Sequence, residues 1–241
     1  MKKNVLLSTL VLITGPLLAA DSGNEVKDAA RKLAEKGNYS WKTTTEAAGG
    51  GGGGRFRPGP TEGKTEKDGY TFLSMTRGDN TLDAVLKGSK GAIKTPNEGW
   101  KSLAEETADA GGGQRNPARF IGRMLQNFKA PAAQAEDLAG KAKELKSSEG
   151  AFSGDLTEEG AKSLLTLGRG RGGNAPEISG AKGSVKFWIK DGVLSKIQFN
   201  VQGKVSFNGN DRDVDRTTII EIKDVGTTTV TVPEDAKKAL S

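Results

Sequence analysis

The chain of 241 residues has no cysteine and no histidine. Without cysteine there are no disulfide staples and no thiol nucleophile, so stability has to come from the core. Without histidine the commonest general base and the commonest zinc ligand are both missing. Together these absences exclude thiol proteases, Ser-His triads, zinc hydrolases and copper sites. Carboxylates, lysine, tyrosine and serine remain for chemistry. The obvious carboxylate pairs, Glu105-Glu106 and Glu158-Glu159, are consecutive and diverge by about 100° on a helix. No acid–base dyad can be located, and the chain reads as a non-enzyme without cofactor or metal.

Long apolar runs are equally scarce, and the only one opens the chain. Lys2 and Lys3 precede an apolar stretch from Val5 to Leu18, broken at Gly15-Pro16 and closed by the small residues Ala19-Ala20. This predicts a signal peptide over residues 1–20, removed before Asp21, and a periplasmic or secreted protein. No cysteine follows the cleavage site, so no lipobox is expected. No later stretch approaches the roughly 18 apolar residues of a spanning helix, so no transmembrane anchor is expected either. The formal net charge of +6 includes the two leader lysines, and acids and bases are interspersed along the rest. That pattern reads as a solvated surface with no nucleic-acid partner.

What the sequence has is alternation. From Ser184 to Pro233, Val185, Phe187 and Ile189 alternate with Ser184, Lys186, Trp188 and Lys190. After the Asp191-Gly192 turn, Ile197, Phe199, Val201, Val205 and Phe207 share one face. Ile220 and Ile222 follow, then Val230 and Val232. This predicts four successive strands with one apolar and one wet face, and the apolar side needs a cover.

Upstream, Val26, Ala29, Ala30 and Leu33 recur at helical spacing over Ser22–Lys36, with Gly37 as the stop. Tyr39–Thr45 sets Tyr39, Trp41 and Thr43 against Ser40, Lys42 and Thr44, a strand pattern. Six glycines, Gly49–Gly54, predict a flexible loop over residues 48–60. Further strands are predicted over Tyr70–Thr76, Thr81–Lys87 and Gly91–Thr95. Helices are predicted around Trp100–Thr107, over Pro117–Lys129, over Ala132–Lys146, and after a Thr157 cap. No βαβ alternation is present. The class is α+β, with residues 21–241 forming a single domain.

Three motifs give way to plainer readings. Gly59–Thr65 (GPTEGKT) imitates a phosphate-binding loop but lacks the first glycine and the flanking strand and helix, so it reads as an ordinary loop. Gly168, Gly170 and Gly173 have dinucleotide-site spacing in the wrong strand–helix order. Asp211, Asp213 and Asp215 alternate like calcium ligands, yet the glycine and the distal glutamate of an EF-hand are missing, and they read as a solvated hairpin tip.

The segment Trp188-Ile189-Lys190-Asp191-Gly192, together with Asp224, Gly226, Val230, Val232 and Pro233, resembles the LolA-like carriers and the LppX/LprG-type lipoproteins of bacterial envelopes. The opening helix followed by Tyr39–Thr45 is similar to theirs as well. The resemblance implies a curved antiparallel sheet, an incomplete β-barrel, with helices packed on its concave face and a cavity for acyl chains between them. The expected function is an exported envelope protein binding an apolar ligand, a lipid or acyl chain. Phe120, Met124, Phe128, Phe187, Phe199, Val201 and Phe207 are the candidate cavity lining, with the helix bearing Phe120, Met124 and Phe128 expected above Phe199, Val201 and Phe207. The alternative is a structural or protein-interaction module of the envelope, its core fully plugged and without ligand. The expected partners are accordingly a lipid or an envelope protein.

Overall fold

The computed structural model describes residues 22–48, 59–77, 80–95, 99–108, 117–166, 176–207 and 209–241. The expected leader (residues 1–20), the six-glycine run and the Gly168–Gly173 motif lie outside the described residues.

The chain begins with α1 (Ser22–Lys36), whose Val26, Ala29, Ala30 and Leu33 are buried as one stripe. Gly37 ends it at a φ of +75°, its amide donating to the Ala34 carbonyl, a backbone shape a side chain resists. Six strands follow: β1 (Tyr39–Ala47), β2 (Thr61–Thr65), β3 (Tyr70–Arg77), β4 (Asn80–Lys87), β5 (Lys90–Thr95) and β6 (Gly99–Ser102). Then come α2 (Leu103–Ala108), α3 (Pro117–Gln126) and α4 (Pro131–Lys141), the short hairpin β7 (Lys146–Ser148) and β8 (Ala151–Asp155), and α5 (Glu158–Thr166). Three long strands, β9 (Glu177–Lys190), β10 (Val193–Phe207) and β11 (Asn210–Lys223), precede the C-terminal α6 (Glu234–Ala239).

All strands join one antiparallel sheet in the order β6-β5-β4-β3-β2-β1-β11-β10-β9-β8-β7. The sheet is curved and does not close, and with the six helices it makes an α+β half-barrel. Among the described strands only the β1–β11 pairing is non-sequential, and it joins the two halves: Trp41 faces Ile222 and Thr45 faces Thr218.

The main core lies on the sheet face carrying Leu73, Ala84, Ile93, Trp41, Ile220, Ile197 and Phe187. The two halves of that face have different covers. On the β9–β10 side the helices are α1, α4 and α5, and on the β5 side they are α2 and α3. Thr157 Oγ1 accepts the Gly160 amide at 3.0 Å and starts α5, as the sequence suggested. Between α3 and α4, Asp137 bridges Lys141 at 2.6 Å and Lys129 at 2.9 Å. Burial raises the carboxyl's pKa, but the two ammonium groups outweigh it and hold the group below the usual carboxylate range.

Four expectations change. The Gly59–Thr65 segment is not a loop. Gly59 and Pro60 pair with Thr76, and Thr61–Thr65 is β2, squarely between β1 and β3. The helix expected over Ala132–Lys146 stops at Lys141, and Ala142 turns extended at φ −76°, ψ 145°. There Lys143 donates to Asp155 and Thr157 to Lys141, both at 2.8 Å, so pairing with distant residues overrides local helix preference. Trp100 sits on β6, ahead of α2, and not in a helix.

The fourth strand expected at Val230 and Val232 is irregular. It follows β11, whose two edges are already taken by β1 and β10, so no ladder position is left for it. The segment instead crosses to the outer face. Gly226 donates to the Asn38 carbonyl, Asn38 Nδ2 to the Thr228 carbonyl, and the Val230 amide to Glu66 Oε2 at 3.0 Å. Val232, Ala236 and Leu240 then bury Val85 and Ala92 in a second, smaller core. The one-wet-face reading holds for β9–β11, whereas β3–β5 are covered on both faces.

Candidate functional site

The seam between the two helix groups falls on Trp41. Its indole stacks on Phe128 with centroids 6.1 Å apart and planes 18° apart, and it touches Tyr39 at 5.6 Å. Gly63, directly opposite Trp41 on β2, makes room for the ring. A Cβ there would fall inside the indole, closer than any Cβ tolerates. The glycine that mimics a phosphate loop in sequence is thus a packing residue beneath an aromatic side chain.

Tyr39 is 3% exposed, and its phenol is pushed up to about 12 by burial, only partly offset by a hydrogen bond from the Ala132 backbone. The neutral form is therefore favoured in the folded chain, while the unfolded chain ionises near 10. Stability contributed by this group is complete below pH 10 and falls as the pH rises from 10 towards 12. Urea unfolding midpoints between pH 9 and 11 should fall more steeply in the parent than in Tyr39→Phe. Equal slopes would remove Tyr39 as the cause.

Beyond Trp41 the core face changes character. Thr43, Thr45 and Thr61 continue it on β1 and β2, Met75 and Leu82 on β3 and β4, and Val214 on β11. All six are only half-buried, although they share the face of fully buried Leu73, Ala84 and Ile220. Thr45 and Thr218 hydroxyls meet at 3.3 Å in the middle of this row. Arg216, also on this face, donates to the Leu164 carbonyl in the last turn of α5 at 2.5 Å. A cation there answers the negative end of the helix.

Phe199 and Val201 border this region directly, lying opposite Thr218 and Arg216. They are 6% and 0% exposed, and Phe187 is also fully buried. Their cover is α1 and α5, not α3 as expected. The side chain of Leu165 in α5 comes down onto Gly203 of β10, while α3 lies against β5 and α2. The reason is connectivity: α3 follows β6 and α2, so it stays over that half of the sheet. Of its stripe, Met124 is 39% exposed and Phe128 half-buried on Trp41. Phe120 lies in the first turn of α3 and Phe207 closes β10, with their side chains outside the described residues.

The threonine row and Arg216 escape a sequence reading that looks for apolar residues. Thr43 alone is signalled, by its alternation with Tyr39 and Trp41. At the β10–β11 tip, Asp215 accepts the Asn200 and Gln202 amides and Asp211 faces Lys204 at 3.8 Å. An open groove of about 430 Å³ lies beside β9, lined by Lys143, Asp155, Glu158, Lys182, Ser184, Asn200 and Gln202 among others. Its walls are too polar for an apolar guest.

No protein-family model and no curated protein matches the chain. Solved structures do. LprF from Mycobacterium bovis is 11% identical with a TM-score of 0.43, over 89% of this chain and 97% of that one. The Mycobacterium tuberculosis lipoprotein LppX is 10% identical with a TM-score of 0.43, over 88% and 98%. A LolA superfamily protein from Nitrosomonas europaea is 10% identical with a TM-score of 0.32, over 92% and 98%.

Proposed function

We propose that the chain is an exported protein of the bacterial envelope that holds an apolar ligand, a lipid or acyl chain, between the core face of its sheet and its helices. The observation that carries this reading is the half-buried row Thr43, Thr45, Thr61, Met75, Leu82 and Val214, which continues a sealed core without being sealed itself. A protein that needed only a plug would gain by burying these side chains, since apolar area removed from water is worth about 25 cal/mol per Å². Phe199 and Val201 stand at its inner border, and exposed Met124 supplies a flexible apolar side chain of the kind adaptable sites use. The threonine hydroxyls and Arg216 would meet the polar end of an amphiphile. Lipid would be held by burial alone, without covalent chemistry, consistent with a chain that lacks cysteine and histidine.

Native mass spectrometry of protein purified from the exported fraction, without detergent, should show an adduct of lipid mass that organic extraction removes. Loss of that adduct in Thr45→Trp, which fills the row, would place it there. Protein that never carries or takes up an apolar adduct would leave the second reading, a module that binds a protein partner. That reading is favoured by the fully buried Phe187, Ile197 and Val201 elsewhere on the same face.

A further inference from the structure

The outer face of β9 and β10 carries a feature the ligand site does not use. Trp188 is half-buried on that face, near the Asp191-Gly192 turn, with Ala151 opposite it on one side and Lys196 on the other. The Lys186 and Lys196 ammonium groups lie 5.2 and 4.9 Å from its ring centroid. A bulge between Leu194 and Lys196 sets this register, and the Ser195 hydroxyl of the bulge donates to the Trp188 carbonyl at 3.0 Å. The indole is therefore held in place by backbone geometry, not by a core.

Around it the face is basic. Lys190, Lys223, Lys42 and Lys64 continue the patch on β9, β11, β1 and β2, against Glu221 and Glu62 on the same face and Asp191 and Asp224 at its turns. Glu221 lies 3.9 Å from Lys223 and opposite Lys196, and Glu62 lies 3.6 Å from Lys42, so the lysines of this face outnumber its acids by six to four, with Lys186, Lys190 and Lys196 grouped around Trp188. The acidic counterpart, Asp211, Asp213 and Asp215, sits at the far end of the same strands. The face is thus polarised along its length. The C-terminal segment covers the outer face over β3–β6, and among the described residues no helix packs on the outer face of this half.

We propose that this patch docks the protein on an anionic phospholipid surface. Lysines are mobile point charges on long stems, without the fixed fork that reads a particular carboxylate. Spread over an open sheet face, they suit a two-dimensional array of phosphates better than one acidic peptide. Indole prefers the level of the headgroups, apolar body inward and N–H outward. The inference does not require that the chain carry a lipid.

The test uses vesicles of phosphatidylglycerol and phosphatidylcholine at 3:7, with pure phosphatidylcholine as the neutral control. Expected are co-sedimentation with the anionic vesicles only, loss of binding as salt is raised from about 50 to 500 mM, and a blue shift of emission that Trp188→Phe abolishes. Lys186→Gln/Lys190→Gln/Lys196→Gln should weaken partitioning at least about tenfold at an unchanged melting temperature. Lys143→Gln/Lys162→Gln/Lys237→Gln removes the same charge elsewhere and should bind as the parent does. No binding to anionic vesicles, or equal loss in both triple variants, overturns the proposal. So would polyglutamate competing as strongly as vesicles with no change in Trp188 emission, which would assign the patch to an acidic polypeptide.

Discussion

Gly63→Ala should melt well below the parent, although alanine ordinarily suits a strand interior better than glycine by roughly 0.5–1 kcal/mol. The new methyl group has no free space, because the Trp41 indole already occupies its position. The ring has to move, and in moving it loses Phe128, on which it is stacked. Overpacking of this kind costs about 1–3 kcal/mol, and here the upper end is expected because the seam between the two helix groups moves with the ring. Thermal unfolding should shift down by roughly 5–10 °C for a chain of this size. The decisive comparison is the double variant. In a Trp41→Leu background the ring atoms that collide are gone, and Gly63→Ala should be neutral or slightly stabilising. An equal loss in both backgrounds would mean that the cost arises from something other than the indole.

The second large effect separates the sealed part of the core from the part proposed to take ligand. Phe187 is fully buried beneath the helices, and Phe187→Ala should cost about 3–5 kcal/mol, the usual loss of an aromatic side chain from a packed interior. Phe199 stands one strand over and faces Thr218, at the border of the half-buried row. If space for an acyl chain begins there, Phe199→Ala enlarges an opening that already exists. The ligand-free variant should then lose clearly less than Phe187→Ala, while the mass or amount of bound lipid changes. Both variants have to be compared after extraction of ligand, since bound lipid would stabilise the parent. Equal losses at both positions, with no lipid in any preparation, would defeat the carrier reading and leave the interaction module.

Much of this fold is written in the period of its side chains. The stripe in α1, its Gly37 stop, the Thr157 cap and the Asp191-Gly192 hairpin depend on neighbours within a few residues, and each is where the sequence puts it. The same holds for the alternation in β9, β10 and β11, because a strand with one buried face must keep its register. The placement of the residues expected to line a cavity was only partly legible. Phe187, Phe199 and Val201 lie on the core face as their alternation required, but the helix expected above Phe199 lies over β5 instead.

The sequence alone determined the α+β class, the absence of thiol and imidazole chemistry, and which face of each long strand is apolar. All of these are properties of composition or of spacing within one element. The tertiary structure alone decided which elements meet. It made Thr61–Thr65 a strand between β1 and β3, with Gly63 leaving room for Trp41, and it pulled Ala142 out of its helix to pair with Leu156. It denied Val230 and Val232 a ladder because both edges of β11 were taken, and sent them to cover the outer face. The half-buried threonine row is of the same kind. Residues from β1, β2, β3, β4 and β11 become neighbours only through strand pairing across the whole chain, and no local pattern reports which side chains a helix will leave uncovered.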